Sequence, residues 1–232
     1  MGSEMCIRDR NLDDDLVEKI RATRRRLAAD GPARGRSAGD FERVSIPSAD
    51  GDALRDLLIA DRASSVIEIG LAYGSSALAI AEALVTVESA DARHVIIDAY
   101  QDRFHGSGWA VVTEAGLAGI CSLIEDRSQI VLPRLLGEGL VTDAAFVDGS
   151  HIFHNVFVDL FYLRELVRPG GLVIVDDYSY PSVATAVRYF ETNAGWQMVP
   201  MSAPTRLRAL RLPTERTEPH FESFKPFGLD TP

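Results

Sequence analysis

Lysine is almost missing from this chain: of its 24 basic residues only Lys19 and Lys225 are lysines. Neither stands near a glycine turn or the end of an apolar run, which excludes a phosphate-loop lysine and a lysine general base. Cysteine is nearly as scarce. Cys6 and Cys121 form no disulfide framework and have no metal-ligand spacing, so a reducing cytoplasm is the expected compartment. No apolar run reaches the roughly 18 residues of a membrane-spanning helix. The opening "MGSEMCIRDR" lacks an apolar signal core; it reads as a leader not native to the chain and is set aside from the fold. Positive charge is also in deficit, with 24 bases against 34 acids and a net charge of -10. That balance argues against a nucleic-acid partner held by non-specific phosphate contacts.

What is present is enough apolar material for a core, 46% of 232 residues, and no internal repeat. "NLDDDLVEKIRATRRRLAAD" places Leu12, Leu16 and Ile20 at helical spacing. Its acids lie in the first turn and Arg24 to Arg26 follow, as the helix dipole favours. In so acidic a chain the arginine run reads as a solvated helix face rather than a nucleic-acid patch. "GPARGRSAGD" reads as a loop, because glycine and proline interrupt regular structure. These parts suggest an N-terminal helix and cap loop over 11–47, a catalytic-sized domain over 48–212 and a polar tail over 213–232. Phe221, Phe224 and Phe227 would pack that tail on the domain.

Within 48–212 strand-like runs alternate with helical ones. "SVIEIG", "RHVIIDAY", "CSLIED", "DAAFVDGS" and "GGLVIVDDY" are the strands, and two closing strands over 196–201 and 206–212 lack a helix between them. Alternation of this kind implies right-handed crossovers and an α/β fold, a parallel sheet covered on both faces. Ligands in such sheets bind beyond the carboxyl ends of the strands. Acids stand at every one of those ends: Glu68 with Gly70, Asp98, Glu125 with Asp126, Asp148, and Asp176 with Asp177.

The turn "VIEIGLAYGSS" has Gly70 and Gly74 but no glycine at the middle position where a dinucleotide's pyrophosphate needs close backbone approach. A ligand without phosphate at the turn suits it better. Asp98 stands where a carboxylate can accept ribose hydroxyls, a feature shared by nucleoside and NAD sites.

These residues, with "IDAYQ", "GSGWAVVTEAGL", "LPRLL", "FVDGSH" and "LVRPGGLVIVDDY", give the chain a resemblance to the class I S-adenosylmethionine-dependent methyltransferases, in the small-molecule (O-)methyltransferase branch. The resemblance runs over about Ser48 to Leu212. It implies a doubly wound, Rossmann-like sheet of seven strands, mostly parallel with an antiparallel last strand. It carries cofactor contacts onto Glu68, Gly70, Gly74 and Ser75, and the ribose onto Asp98. Asp126 or Ser128 would lie near the adenine, and Asp148 would face the methionine end and the substrate. The partner implied is a small-molecule acceptor, with no nucleic acid and no membrane; self-association into a homo-oligomer is a further expectation.

Methyl transfer to a hydroxyl needs positioning and loss of the acceptor proton. Two readings of the far strand ends supply this. In one, Asp148, Asp176 and Asp177 converge on a hard cation such as Mg²⁺. In the other, His151 is the base, an imidazole near neutrality, with Asp148 beside it; the bland reading is that His151 caps the helix after it or only orients Asp148. His154 reads as a structural or rim residue, and Tyr178 and Tyr180 as lining the acceptor pocket or packing on the surface. Two other functions stay open: a non-catalytic methyltransferase-like binding domain, and an NAD(P)-binding oxidoreductase, weakened because no tyrosine has a lysine four residues on.

Overall fold

Five of the apolar runs form parallel strands in the computed structural model: β1 (Ser65–Ile69), β2 (Arg93–Ile97), β3 (Cys121–Ile124), β4 (Thr142–Val147) and β5 (Val167–Val175). Two short strands close the sheet, β6 (Gln197–Val199) and β7 (Arg208–Arg211). The order is β3-β2-β1-β4-β5-β7-β6, and β7 alone runs against its neighbours. The α/β fold with an antiparallel last strand is therefore the observed one. The structure describes residues 2–33, 38–201, 204–216 and 218–227, with the side chains of 2–12, 38 and 39 left aside. Leu12, part of the expected loop (34–37) and the end of the tail (228–232) lie outside the described side chains and residues.

The helices are α1 (Gly2–Asp30), α2 (Ala38–Val44), α3 (Ser48–Ala60), α4 (Ser75–Thr86), α5 (Ser107–Glu114), α6 (Ser128–Gly137), α7 (Phe153–Leu166) and α8 (Pro181–Asn193). Successive strand residues point to opposite faces, and both faces are covered. Ile67, Ile69, Val95 and Val147 pack with Leu132 of α6, Leu160 and Leu163 of α7 and Val187 of α8. On the other face Val66, Phe146 and Ile174 meet Leu54 and Leu58 of α3 and Ile80 and Leu84 of α4. Ile96 belongs to a third cluster with Leu78 of α4, Val112 of α5 and Ile20 and Leu27 of α1.

Two local readings change. The "loop" after α1 becomes helical again at Ala38, with Asp40 in the first turn of α2 and Arg43 in its last. The arginine run is not one solvated face. Arg24 is anchored between Glu82 on α4 (2.5 Å) and Asp52 on α3 (2.9 Å), while Arg21 also holds Glu82 (2.8 Å). Glu82 has no exposure at all, and a buried carboxylate requires such partners. Arg25 remains exposed and pairs with Glu18. In the tail, Phe224 and Phe227 lie 6.5 and 5.3 Å from the Tyr189 ring, whereas Phe221 is 80% exposed.

Leu163 is fully buried between α7 and the sheet. Leu163→Ala should lower the unfolding free energy by about 2–5 kcal/mol, read from the midpoint of a urea titration with an unchanged slope.

Candidate functional site

The turn joining β1 to α4 is compressed from both sides. Gly70 (φ +96°) lies against β4's end, where a β-carbon would strike the Asp148 carbonyl. Gly74 (φ +87°) faces the Gly108 carbonyl oxygen, 3.1 Å from where its own β-carbon would stand. A β-carbon on Gly108 would in turn run into the Ala72 carbonyl. Gly108, within "GSGWAVVTEAGL", is thus packed against the turn, and no spacing in the sequence marks it apart from the glycine at position 106. The turn is also anchored outward. Tyr73 is fully buried, donates its hydroxyl to Asp40 of α2 (2.8 Å), and has the Phe41 and Phe104 rings at 5.6 and 5.0 Å.

Ala72 adopts a left-handed conformation (φ +45°), which turns the Leu71 and Ala72 N–H groups toward one point. That point is Asp98: both amides donate to its Oδ2 at 3.0 Å. Gln101 Nε2 donates to the same oxygen (2.8 Å) and to the Ala72 carbonyl (3.0 Å), and the Tyr100 N–H donates to Oδ1 (2.7 Å). A carboxylate offers about four acceptor positions, so these donors leave an outside hydroxyl the free side of Oδ1. Asp98, expected at a ribose, holds the turn in shape.

Glu68 points away from that rim. As the penultimate residue of β1 it shares a face with Val66, and it is fully buried. It accepts from the Ser76 hydroxyl and lies 2.9 Å from His94 Nε2, whose Nδ1 lies 3.6 Å from the Cys121 sulfur. Burial opposes charge on His94, but the Cys121 sulfur and the Glu68 carboxylate outweigh it and raise its pKa to about 9. Ser75, one residue before Ser76, is partly exposed and borders a cavity of about 730 Å³ among α1 to α4, lined by Arg21, Arg24, Arg55, Phe41 and Leu78. No other expected site residue reaches that cavity. Of the two residues expected near the adenine, Asp126 is partly exposed and accepts its neighbour's N–H. Ser128 is buried and bonded to Asp159 of α7, whose carboxyl is pushed up to about 7 by burial.

Beyond β4 and β5 the acids regroup. The atoms that come together belong to Asp148, His151 and Asp177, within 4.8 Å of one another. Two of these belong to the expected set of Asp148, Asp176 and Asp177. The third, Asp176, pairs through both of its oxygens with Arg206, from the segment before β7, at 2.7 and 2.5 Å. Nothing in the local sequence links residues 30 positions apart, so that partner was missed. His151 Nε2 lies 2.9 Å from Asp177 Oδ2 and 3.9 Å from Asp148 Oδ1. No side chain caps the N-terminus of α7, where Ile152 is the N-cap residue; Ser150 Oγ accepts from the Ile152 N–H and the Asn155 side chain. His154 is exposed on the first turn of α7. Tyr180 stacks near His151, ring centres 5.1 Å apart, and Tyr178 carries the Arg208 guanidinium over its ring.

Electrostatics separate the three groups. The Asp148 and Asp177 carboxylates hold a proton on His151 and raise its pKa to about 10, against some loss of hydration. Burial pushes Asp148 up to about 7; His151 opposes this, and Asp176 and Asp177 add to it. Asp177 is lowered by its bond to His151. The surroundings thus favour the charged form of His151 and the protonated form of Asp148.

The family model of a methyltransferase domain matches residues 67–178. Among solved structures the chain is similar to the O-methyltransferase TomG from Streptomyces achromogenes, involved in tomaymycin synthesis and in complex with SAM. The identity is 24% and the TM-score 0.63, over 85% of this chain and 90% of that one. It is also similar to the O-methyltransferase from Bacillus cereus in complex with SAH, at 19% identity and TM-score 0.57 over 85% and 90%. A third is the SAH-bound Podospora anserina methyltransferase PaMTH1, at 16% identity and TM-score 0.61 over 91% and 97%. At these identities the structures establish a common fold. No curated protein matches the chain.

The buried pair of His94 and Glu68 gives a pH signature. Because the folded pKa of about 9 exceeds the ordinary 6.5, the pair's stabilisation is complete below about pH 6.5 and is lost as pH rises through 9. The Tm difference between the native chain and His94→Gln should narrow across that window in calorimetric scans.

Proposed function

Through residues 67–178 the chain belongs to the methyltransferase-domain family, and on that premise we propose that it moves the methyl group of S-adenosylmethionine to a hydroxyl of a small molecule. The observation that carries this reading is the coupling of two strand-end structures: the Asp98-braced turn after β1, and the Asp148–His151–Asp177 group after β4 and β5. Gly70 joins them, since its backbone lies against Asp148. A nucleoside at the turn would thus have its sulfonium end directed toward the proton-handling group. Gly74 and Ser75 would border the cofactor at the entrance of α4, and the free side of Asp98 Oδ1 would take a ribose hydroxyl. Asp126 is the more accessible of the two adenine-side residues. Glu68 and Ser128, both buried, would act by holding their strands and helices in place.

Transfer from a sulfonium is an in-line displacement, so the protein's share is to align acceptor and methyl and to remove the acceptor proton. Asp148, with a pKa near neutrality, receives that proton. The His151 imidazolium, oriented by Asp177, offers positive charge to the oxygen as it loses its hydrogen. Tyr180, 49% exposed, and Ile152, 56% exposed, border His151 and would give the acceptor an apolar rim.

A cation is the second reading, favoured by the three ligand atoms within 4.8 Å. Asp148, His151 and Asp177 would hold it, and it would supply a lowered pKa at the acceptor hydroxyl. The Mg²⁺ site expected from three carboxylates does not fit, because Asp176 is already spanned by Arg206 and an imidazole stands in its place. Turnover unchanged after EDTA supports the first reading; loss with EDTA and recovery with Mg²⁺ or Mn²⁺ supports the second. Among the described residues no helix is long and apolar enough to cross a membrane.

S-adenosylhomocysteine should raise the Tm where NAD does not, and Asp98→Ala should abolish the shift; stabilisation by NAD alone would select an oxidoreductase, and by neither a binding domain of another kind. With Asp148 as base, kcat/KM should rise through about pH 7 and stay level until His151 loses its proton near 10. His151→Ala should lower kcat by about 10²–10⁴, and a change within threefold from pH 6 to 9 would remove His151 from the reaction.

A further inference from the structure

Asp176 follows β5 and is 1% exposed. Both of its oxygens are engaged by one guanidinium: Arg206 Nε donates to Oδ1 at 2.7 Å and Nη2 to Oδ2 at 2.5 Å. This is a fork-to-fork pair, with both carboxylate oxygens facing the same cation. The Asp177 backbone N–H also donates to Asp176 Oδ1 (2.7 Å). Arg206 Nη1 lies 3.7 Å from Asp177 Oδ1, and its Nε lies 4.0 Å from Asp50 Oδ2 in the first turn of α3. A single planar cation therefore faces three carboxylates from two places in the fold.

We propose that Arg206 is the resident cation of this acid rim: it closes Asp176 to divalent metal and sets the position of Asp177 against His151. The second role runs through bonds already described. Arg206 fixes Asp176, Asp176 accepts the Asp177 amide, and Asp177 is held with φ at +55°, a left-handed conformation that costs a non-glycine residue energy. In that conformation its carboxylate meets His151 Nε2 at 2.9 Å. Arg206 is a positioning residue, two steps removed from the imidazole. A guanidinium suits the place because it is always charged, weakly hydrated and matched to a carboxylate edge. Mg²⁺ would have to shed part of a tightly held water shell to enter.

The inference rests on reading the rim as the methyl-transfer centre, but its test needs neither cofactor nor acceptor. Mn²⁺ is titrated into the full chain and the free ion followed by its electron paramagnetic resonance signal. Arg206→Gln should bind Mn²⁺ at least tenfold more tightly than the native chain, and adding Asp176→Asn should cancel that gain. Arg206→Lys, which keeps the charge but not the fork, should fall between. Equal Mn²⁺ affinity in the native chain and Arg206→Gln, both melting cooperatively, would overturn the proposal. Should Arg206→Gln fail to fold, Asp176→Asn alone decides: an unchanged native Mn²⁺ affinity supports the proposal, and a loss overturns it. A failure of S-adenosylhomocysteine to stabilise the native chain would instead count against the methyltransferase reading and leave these outcomes readable.

Discussion

The bond between the Asp98 carboxylate and the amides of Leu71 and Ala72 is the constraint on which the rest of the rim depends. A carboxylate 6% exposed at the end of β2 needs donors, and the nearest are the backbone N–H groups of the neighbouring turn. Supplying them requires Ala72 to take a left-handed conformation. That conformation in turn leaves the Ala72 carbonyl to Gln101 and brings it so close to α5 that only glycine fits at position 108. The same turn presses Gly70 on Asp148. One enclosed carboxylate thus sets the spacing between the turn after β1 and the Asp148–His151–Asp177 group.

Much of the sheet was legible because burial on both faces writes strands as short unbroken apolar runs, punctuated by acids and glycines. Direction of side chains was less so. "VIEI" says that Glu68 lies on the face opposite Ile67 and Ile69, but with both faces covered parity does not tell inward from rimward. Its partner His94 sits on the next strand, and only the register of β1 on β2 brings the two together. Arg206 is a harder case. Its role depends on a pairing across the sheet, and an arginine in a short connecting segment has no spacing that marks it. The charge on His151 is not legible in the sequence either, because it follows from neighbours that the fold assembles.

Three of the enclosed acids are met by arginine: Glu82 by Arg21 and Arg24, Asp176 by Arg206, and Asp143 by Arg168. In Asp143 the Arg168 bond and the donors of Ser64 and Ser65 outweigh burial and hold the carboxyl down at about 2. Such pairs are weak evidence for net stability, but they are strict about position. With arginine as the partner, the cations in these pairs keep their charge at every working pH, so within them only the carboxylates titrate.

The reversal of β7 gives the rim a contributor that a wholly parallel sheet would deny it. In a parallel strand only the residues that leave the strand reach the ligand edge; those that enter it lie at the opposite edge. Because β7 runs backward beside β5, with Arg208 paired to Val175, its entrance lies at the ligand edge. Residues 204–207, which lead into β7, therefore lie at the same edge as the acids after β5. A change of charge there can retune those acids while the parallel strands stay as they are.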